Sequence, residues 1–472
     1  MKKLMLLMVV AVLAACSQTP ENEVKITGVI ESPTAADVEV LYYKNFITNQ
    51  TEKIEVSLDT GNAFDAVLPI SEGQFVYVSQ PRRNIMLYLV PGADISISFN
   101  SEDPDQLPVI EGKKALESRF LVSYNKEVER KYNRSIILNQ LGSISAADFK
   151  DMMDSAYEEK LTYLEGHEDY RKLDKEFVKV MKTNFLYEKY GLLLDYPMAF
   201  AYFNPEAGDP ELPGDFYDFL ESDNLFSDEY LKMRPYFSFA NAYLSRHAEK
   251  NADPDSELSF YERQYQFARE IFTGKTREAV LAQNLIYLLN FGTPEAGEEY
   301  YADFSALVQT PEYRELIDAE YQTIMALSHG QPAPAITLTD INGNEVSLSD
   351  FAGKVVYLDF WASWCGPCMR EVPFAKELKK RMKGEDDLVF FYVSVDTDET
   401  AWRNKVAEME IQGVHVNVSG FGHDVPVNYN LKGVPTFYLI GRDGKIFDNR
   451  PPRPSNPKVD EVLKAALEQE LV

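Results

Sequence analysis

At 472 residues the chain is longer than one ordinary domain, and two or three are expected. An apolar content of 45%, with 28 Tyr and 28 Phe, is ample for packed cores. The formal charge of −28 argues against a nucleic-acid partner held through a general basic surface.

The chain opens on a targeting pattern. Lys2-Lys3 forms a charged start, and Leu4 to Leu13 is an apolar run too short for an ordinary membrane span. Leu13-Ala14-Ala15-Cys16 resembles the lipobox of bacterial lipoproteins, so residues 1–16 are expected to be a lipoprotein signal segment and Cys16 the acylated residue. An ordinary signal peptide with an incidental cysteine is the competing reading. Several acyl chains would anchor the protein stably to a membrane, whereas one binds marginally.

Residues 24–100 are rich in short, partly alternating β-type runs, with turn signals at Asp59-Thr60-Gly61-Asn62 and Val90-Pro91-Gly92-Ala93. This predicts a small antiparallel β-sandwich or barrel, and it resembles a β-domain found in envelope lipoproteins. Pro104, Pro108 and Gly112 mark residues 101–112 as a linker. From 113 to 328 the helical period takes over, with Leu116, Phe120, Leu121, Tyr124 and Val128 on one face. Thr293-Pro294-Glu295 and Thr310-Pro311-Glu312 read as helix starts: cap, proline, first-turn acid. No catalytic constellation is visible upstream of residue 329.

Gln331-Pro332-Ala333-Pro334 marks the last boundary, and residues 331–472 mix strands with helices. An Asn-Gly hairpin signal falls at 340–344. Lys354–Trp361 is a nearly continuous apolar run, as in a strand covered on both faces. It leads into Trp364-Cys365-Gly366-Pro367-Cys368 and then into helix-forming residues. A thiol at a helix start meets unsatisfied N–H groups and the positive end of the helix dipole, which stabilise its thiolate. An inert structural disulfide and half of a zinc site are the alternatives. Zinc needs two more ligands, and the chain has neither a second Cys-x-x-Cys nor histidines at zinc-site spacing, so no metal is expected.

Strand, Cys-Gly-Pro-Cys and helix together resemble the thioredoxin superfamily, specifically the exported TlpA/ResA-like thiol-disulfide oxidoreductases, over residues 331–472. The whole chain is then expected to be all-β at its N-terminus, all-α in the middle and an α/β thioredoxin fold at its C-terminus. With Cys16 lipidated, Cys365 and Cys368 are the remaining pair, and the redox-active disulfide they form replaces any cofactor. Cys365 is the expected attacking nucleophile and the more exposed sulfur, with Cys368 resolving the mixed disulfide. The resemblance implies two carboxylates that could take the Cys368 proton. Asp359 matches the buried strand acid of thioredoxins, and Glu371, one turn after Cys368, matches the helix acid of ResA-like proteins. Val434-Pro435-Thr436 resembles the cis-proline loop, whose Val434 backbone would pair with an extended substrate beside Gly366 and Pro367. Trp364 is expected to pack beside the sulfurs and shield them.

The Gly-Pro dipeptide is that of thioredoxin itself, a reductant at about −270 mV, which favours disulfide reduction. The expected partners are disulfide-containing envelope proteins and a membrane thiol electron donor, cytochrome c biogenesis being one setting. The expected location is the cell envelope, lipid-anchored and facing the periplasm. A disulfide oxidase or isomerase is the enzymatic alternative. An envelope binding or assembly protein, with residues 24–328 in the main role, is the non-enzymatic one.

Overall fold

A computed structural model describes residues 23–469 except 46, 49, 133–135, 138–139, 223 and 254. Cys16 and the signal segment lie outside the described residues. The chain divides into two compact units, one ending at Thr310 and the other starting at Pro311.

Among the described residues the first unit begins with eight strands: β1 (Val24–Glu31), β2 (Asp37–Asn45), β3 (Gln50–Ser57), β4 (Ala63–Leu68), β5 (Gln74–Gln80), β6 (Arg83–Leu89), β7 (Asp94–Asn100) and β8 (Val109–Lys113). They form two four-stranded sheets, β4-β1-β7-β8 and β3-β2-β5-β6. Their inward side chains share one core, including Ile26, Ile97, Val40, Val78 and Leu87. Two features depart from the sequence expectation. The sheet is not purely antiparallel, because β1 runs parallel to β7. The presumed linker also contributes β8, which pairs with β7 through Gly112 opposite Ile95. Gly112 fits there because a Cβ would come within 2.3 Å of the Asp94 carbonyl.

The helices described in this unit include α1 (Leu116–Glu127), α2 (Ala146–Gly166), α3 (Lys175–Phe203), α4 (Arg234–Lys250), α5 (Phe260–Ile271), α6 (Gly274–Phe291) and α7 (Pro294–Leu307). α1 is pinned to β6 where the Ser118 hydroxyl donates to the Tyr88 carbonyl at 2.9 Å. Tyr and Phe side chains fill the helical core, among them Phe120, Tyr124, Phe177 and Tyr236. Within it the Lys160 ammonium is nearly sealed from solvent and is held by Glu129 at 3.0 Å and Glu188 at 2.8 Å, a pairing that a buried charge requires.

The second unit starts with α8 (Pro311–Met325), which the sequence had grouped with the helices before it. Glu320 on this helix pairs with Lys432 at 3.4 Å, and Leu327 just beyond it enters the unit's core. A short hairpin, β9 (Thr337–Thr339) and β10 (Glu345–Ser347), precedes the main sheet. That sheet comprises β11 (Val355–Trp361), β12 (Leu388–Ser394), β13 (Val414–Asn417), β14 (Thr436–Ile440) and β15 (Ile446–Asp448), in the order β13-β12-β11-β14-β15. β11, β12 and β13 are parallel, while β14 and β15 are antiparallel to their neighbours. Four helices complete it: α9 (Gly366–Arg381), α10 (Glu399–Met409), α11 (Asp424–Asn428) and α12 (Val459–Leu467). Every residue of the central strand β11 except Asp359 is buried, which accounts for its unbroken apolar character.

Candidate active site

β11 ends at Trp361 and the chain turns into α9 through Ala362–Cys365. Asp396, 2% exposed at the end of β12, holds this turn. Its carboxylate accepts from the Ser363 N–H at 2.8 Å, the Ser363 hydroxyl at 2.7 Å and the Ser394 hydroxyl at 2.7 Å. A buried carboxylate with three donors is tightly located.

Cys365 caps α9. Its Sγ accepts from the Cys368 N–H at 3.1 Å, and the two cysteines form a disulfide with S–S 2.02 Å. The first turn carries no acid, while Lys379, Lys380 and Arg381 close the last. The basic last turn therefore complements the helix dipole, and the positive end, with no acid in the first turn to offset it, falls on Cys365. Neither cysteine is freely exposed: Cys365 is 2% and Cys368 5% accessible, so the expectation that Cys365 is the more exposed is not met. The surface beside it belongs instead to Trp364, 63% exposed, together with Gly366 and Pro367. Trp364 thus stands largely in solvent, where close packing beside the sulfurs was expected.

The loop before β14 meets the disulfide from the other side. The Val434–Pro435 peptide is cis, and the Val434 carbonyl oxygen lies 3.5 Å from Cys365 Sγ. Val434 and Pro435 are both partly exposed.

Behind Cys368 is a small cavity of about 20 Å³, whose wall includes Asp359, Trp361, Glu371, Tyr392 and Pro435 as well as Cys368. Asp359, Cys368 and Glu371 are therefore brought together. The two carboxylates differ. Glu371 is tied to Ser455, accepting from its N–H at 2.9 Å and its hydroxyl at 2.8 Å, and it is partly exposed, not desolvated. Asp359 keeps some accessible surface, yet its Oδ1 is sealed and has no hydrogen-bond partner in the protein. Burial, reinforced by the Glu371 charge and opposed by Arg453, pushes the Asp359 carboxyl up to about 8. Of the two, Asp359 has the environment of a group that exchanges protons near neutral pH.

Several participants escaped the sequence reading. Ser455 and Arg453 lie more than eighty residues from Glu371 and Asp359, and no local pattern links them. Tyr392 sits inside an apolar strand and reads as core. Asp396 offered a signal, an acid directly after a buried strand, that could have been weighed.

The Redoxin family matches residues 328–464. The thiol-disulfide oxidoreductase ResA of Bacillus thuringiensis subsp. konkukian is 32% identical over 138 residues, which cover 29% of this chain and 76% of that protein. ResA of Bacillus subtilis is 32% identical over 131 residues, covering 26% of this chain and 66% of that protein. The thioredoxin domain of a thiol-disulfide oxidoreductase from Bacteroides vulgatus is 32% identical in sequence, with 30% of this chain and 99% of that one covered and a TM-score of 0.28. Through its C-terminal domain, the chain belongs to the thioredoxin-superfamily thiol-disulfide oxidoreductases related to ResA.

Proposed function

We propose that this oxidoreductase works as a reductant of disulfides in exported proteins, tethered to the cell envelope by a lipid on Cys16. The observation that carries the reading is the pairing of a helix-capping Cys365 with a buried Cys368 that shares a cavity with Asp359. In the dithiol form the Cys365 thiolate attacks a substrate disulfide, joining one substrate sulfur to Cys365 and releasing the other. Cys368 then gives its proton to Asp359 and attacks Cys365. The Cys365–Cys368 bond forms, the substrate sulfur leaves with the electron pair and takes up a proton, and two electrons have passed to the substrate. A membrane thiol donor would restore the dithiol.

The Val434 carbonyl beside Cys365 supports docking of an extended substrate segment along the loop before β14. Exposed Trp364, Gly366 and Pro367 would form the rest of that surface. The Gly366-Pro367 dipeptide supports the reducing direction, and the Lys2-Lys3 to Cys16 pattern supports export and anchoring.

Replacing Cys368 with Ala in the intact protein tests this. The variant should accumulate mixed disulfides with envelope proteins on Cys365, and Cys365→Ser should accumulate none. A potential of the wild-type pair, equilibrated with glutathione, near thioredoxin's value of about −270 mV fits a reductant; one near about −120 mV would overturn the direction proposed.

A further inference from the structure

The cavity behind Cys368 is more polar than proton exchange by Asp359 alone requires. Three residues on its wall carry buried polar atoms without a partner in the protein: Asp359 Oδ1, Trp361 Nε1 and the Tyr392 hydroxyl. Such groups are costly unless something satisfies them. A volume of about 20 Å³ holds one water molecule, and a buried water needs two to four polar partners. Two donors and a carboxylate meet that need.

The sheet explains why they converge. Asp359 and Tyr392 are register partners in the parallel β11–β12 pair, and Asp359 and Trp361 alternate onto the same face of β11. The Tyr392 ring is fixed from the far side. The His415 ring stacks on it at 4.7 Å with an interplanar angle of 10°, and a Cβ on Gly413 would come within 2.7 Å of it. The other nearby phenol is already engaged, since the Tyr357 hydroxyl donates to the Pro452 carbonyl at 2.8 Å.

We propose that Tyr392 is a positioning residue, which together with Trp361 holds a single water between Asp359 and Cys368 so that the thiol proton can reach the carboxylate. This rests on the exchange reading above. The proton leaves Cys368 Sγ for the water and the water passes a proton to Asp359, while the Tyr392 O–H, donating to the water, orients it towards the carboxylate and so supports the charged form. The charged and titratable groups facing Asp359 are Glu371 from α9, Arg453 from the segment before α12, Tyr357 on its own strand and Tyr392 from β12. Behind Tyr392 stand His415, whose pKa is lowered by burial, and Lys379 near it.

The test uses the reduced full-length protein and the chromogenic disulfide dithionitrobenzoate, followed by stopped flow from acid to alkaline pH. Attack by Cys365 releases one nitrothiolate, and resolution by Cys368 releases a second. In Tyr392→Phe the first phase should be unchanged. The second should slow about tenfold at neutral pH, with its midpoint displaced upward by about one pH unit, as expected for losing one donor to a charged acceptor. Trp361→Phe should displace the midpoint the same way and serves if Tyr392→Phe does not fold. In an Asp359→Asn background Tyr392→Phe should add nothing. Unchanged midpoints in folded variants, or equal slowing in the Asp359→Asn background, would overturn the role of Tyr392 while leaving the exchange reading intact. A wild-type protein that never releases the second equivalent would overturn both.

Discussion

Asp359 has its carboxyl pushed above the ordinary range, so it binds a proton more tightly folded than unfolded. Between the unfolded value near 3.8 and the folded value of about 8, the folded state holds the extra proton, and stability must fall as pH rises. Each pH unit across that window costs about 1.4 kcal/mol before relaxation reduces it. Asp359→Asn should therefore stabilise the protein above neutral pH by a few kcal/mol, with the gain shrinking towards pH 4, while slowing resolution of mixed disulfides. Denaturation followed by tryptophan fluorescence reads this selectively, because Trp361, Trp364 and Trp402 all lie in the second unit. A variant equally stabilised at every pH would contradict the burial of a titrating carboxyl. Glu371 adds a second test at this scale. Its charge helps raise Asp359, so Glu371→Gln should move the pH midpoint of the resolving step downward.

The turn between β11 and α9 decides how the redox pair is presented. Asp396 gathers three donors from Ser363 and Ser394. Asp396→Ala leaves those donors, the Ser394 hydroxyl fully buried, without their acceptor and should cost about 2–4 kcal/mol, read as a lower denaturation midpoint in tryptophan fluorescence. Asp396→Asn should lose less, since the amide oxygen still accepts. The element that was hardest to foresee is β8. Its five residues follow two prolines, and propensity alone marks the stretch as a linker; pairing with β7 overrides that. By contrast β11 was legible within a residue, because a doubly covered strand writes an unbroken apolar run directly into the sequence.

At the level of the whole molecule, the break at Thr310/Pro311 puts α8 with the redox unit. A fragment starting at residue 311 retains the Glu320–Lys432 pair and Leu327, whereas one starting at 331 loses both. The exposed ion pair contributes little, so the difference should come mainly from Leu327 and amount to about 1–3 kcal/mol. Denaturation of the two fragments measures it; equal midpoints would place the start of the unit at residue 331. The net charge is unevenly spread, −8 on residues 311–472 and −20 on residues 1–310, so salt should affect the first unit's stability more than the redox unit's.

Local order along the chain was enough to announce a dithiol at a helix start, the strand that feeds it, and three successive regions of β, α and mixed character. Those properties depend on neighbours within a few residues, where periodicity, caps and short motifs act. Contacts across long separations were not readable in that way. Tyr392 facing Asp359, Ser455 holding Glu371, Asp396 anchoring Ser363 and β1 lying parallel to β7 each join segments far apart in the chain. Which of two carboxylates is desolvated depends on what the rest of the fold brings against it, and burial of that kind leaves no periodic trace in the order of residues.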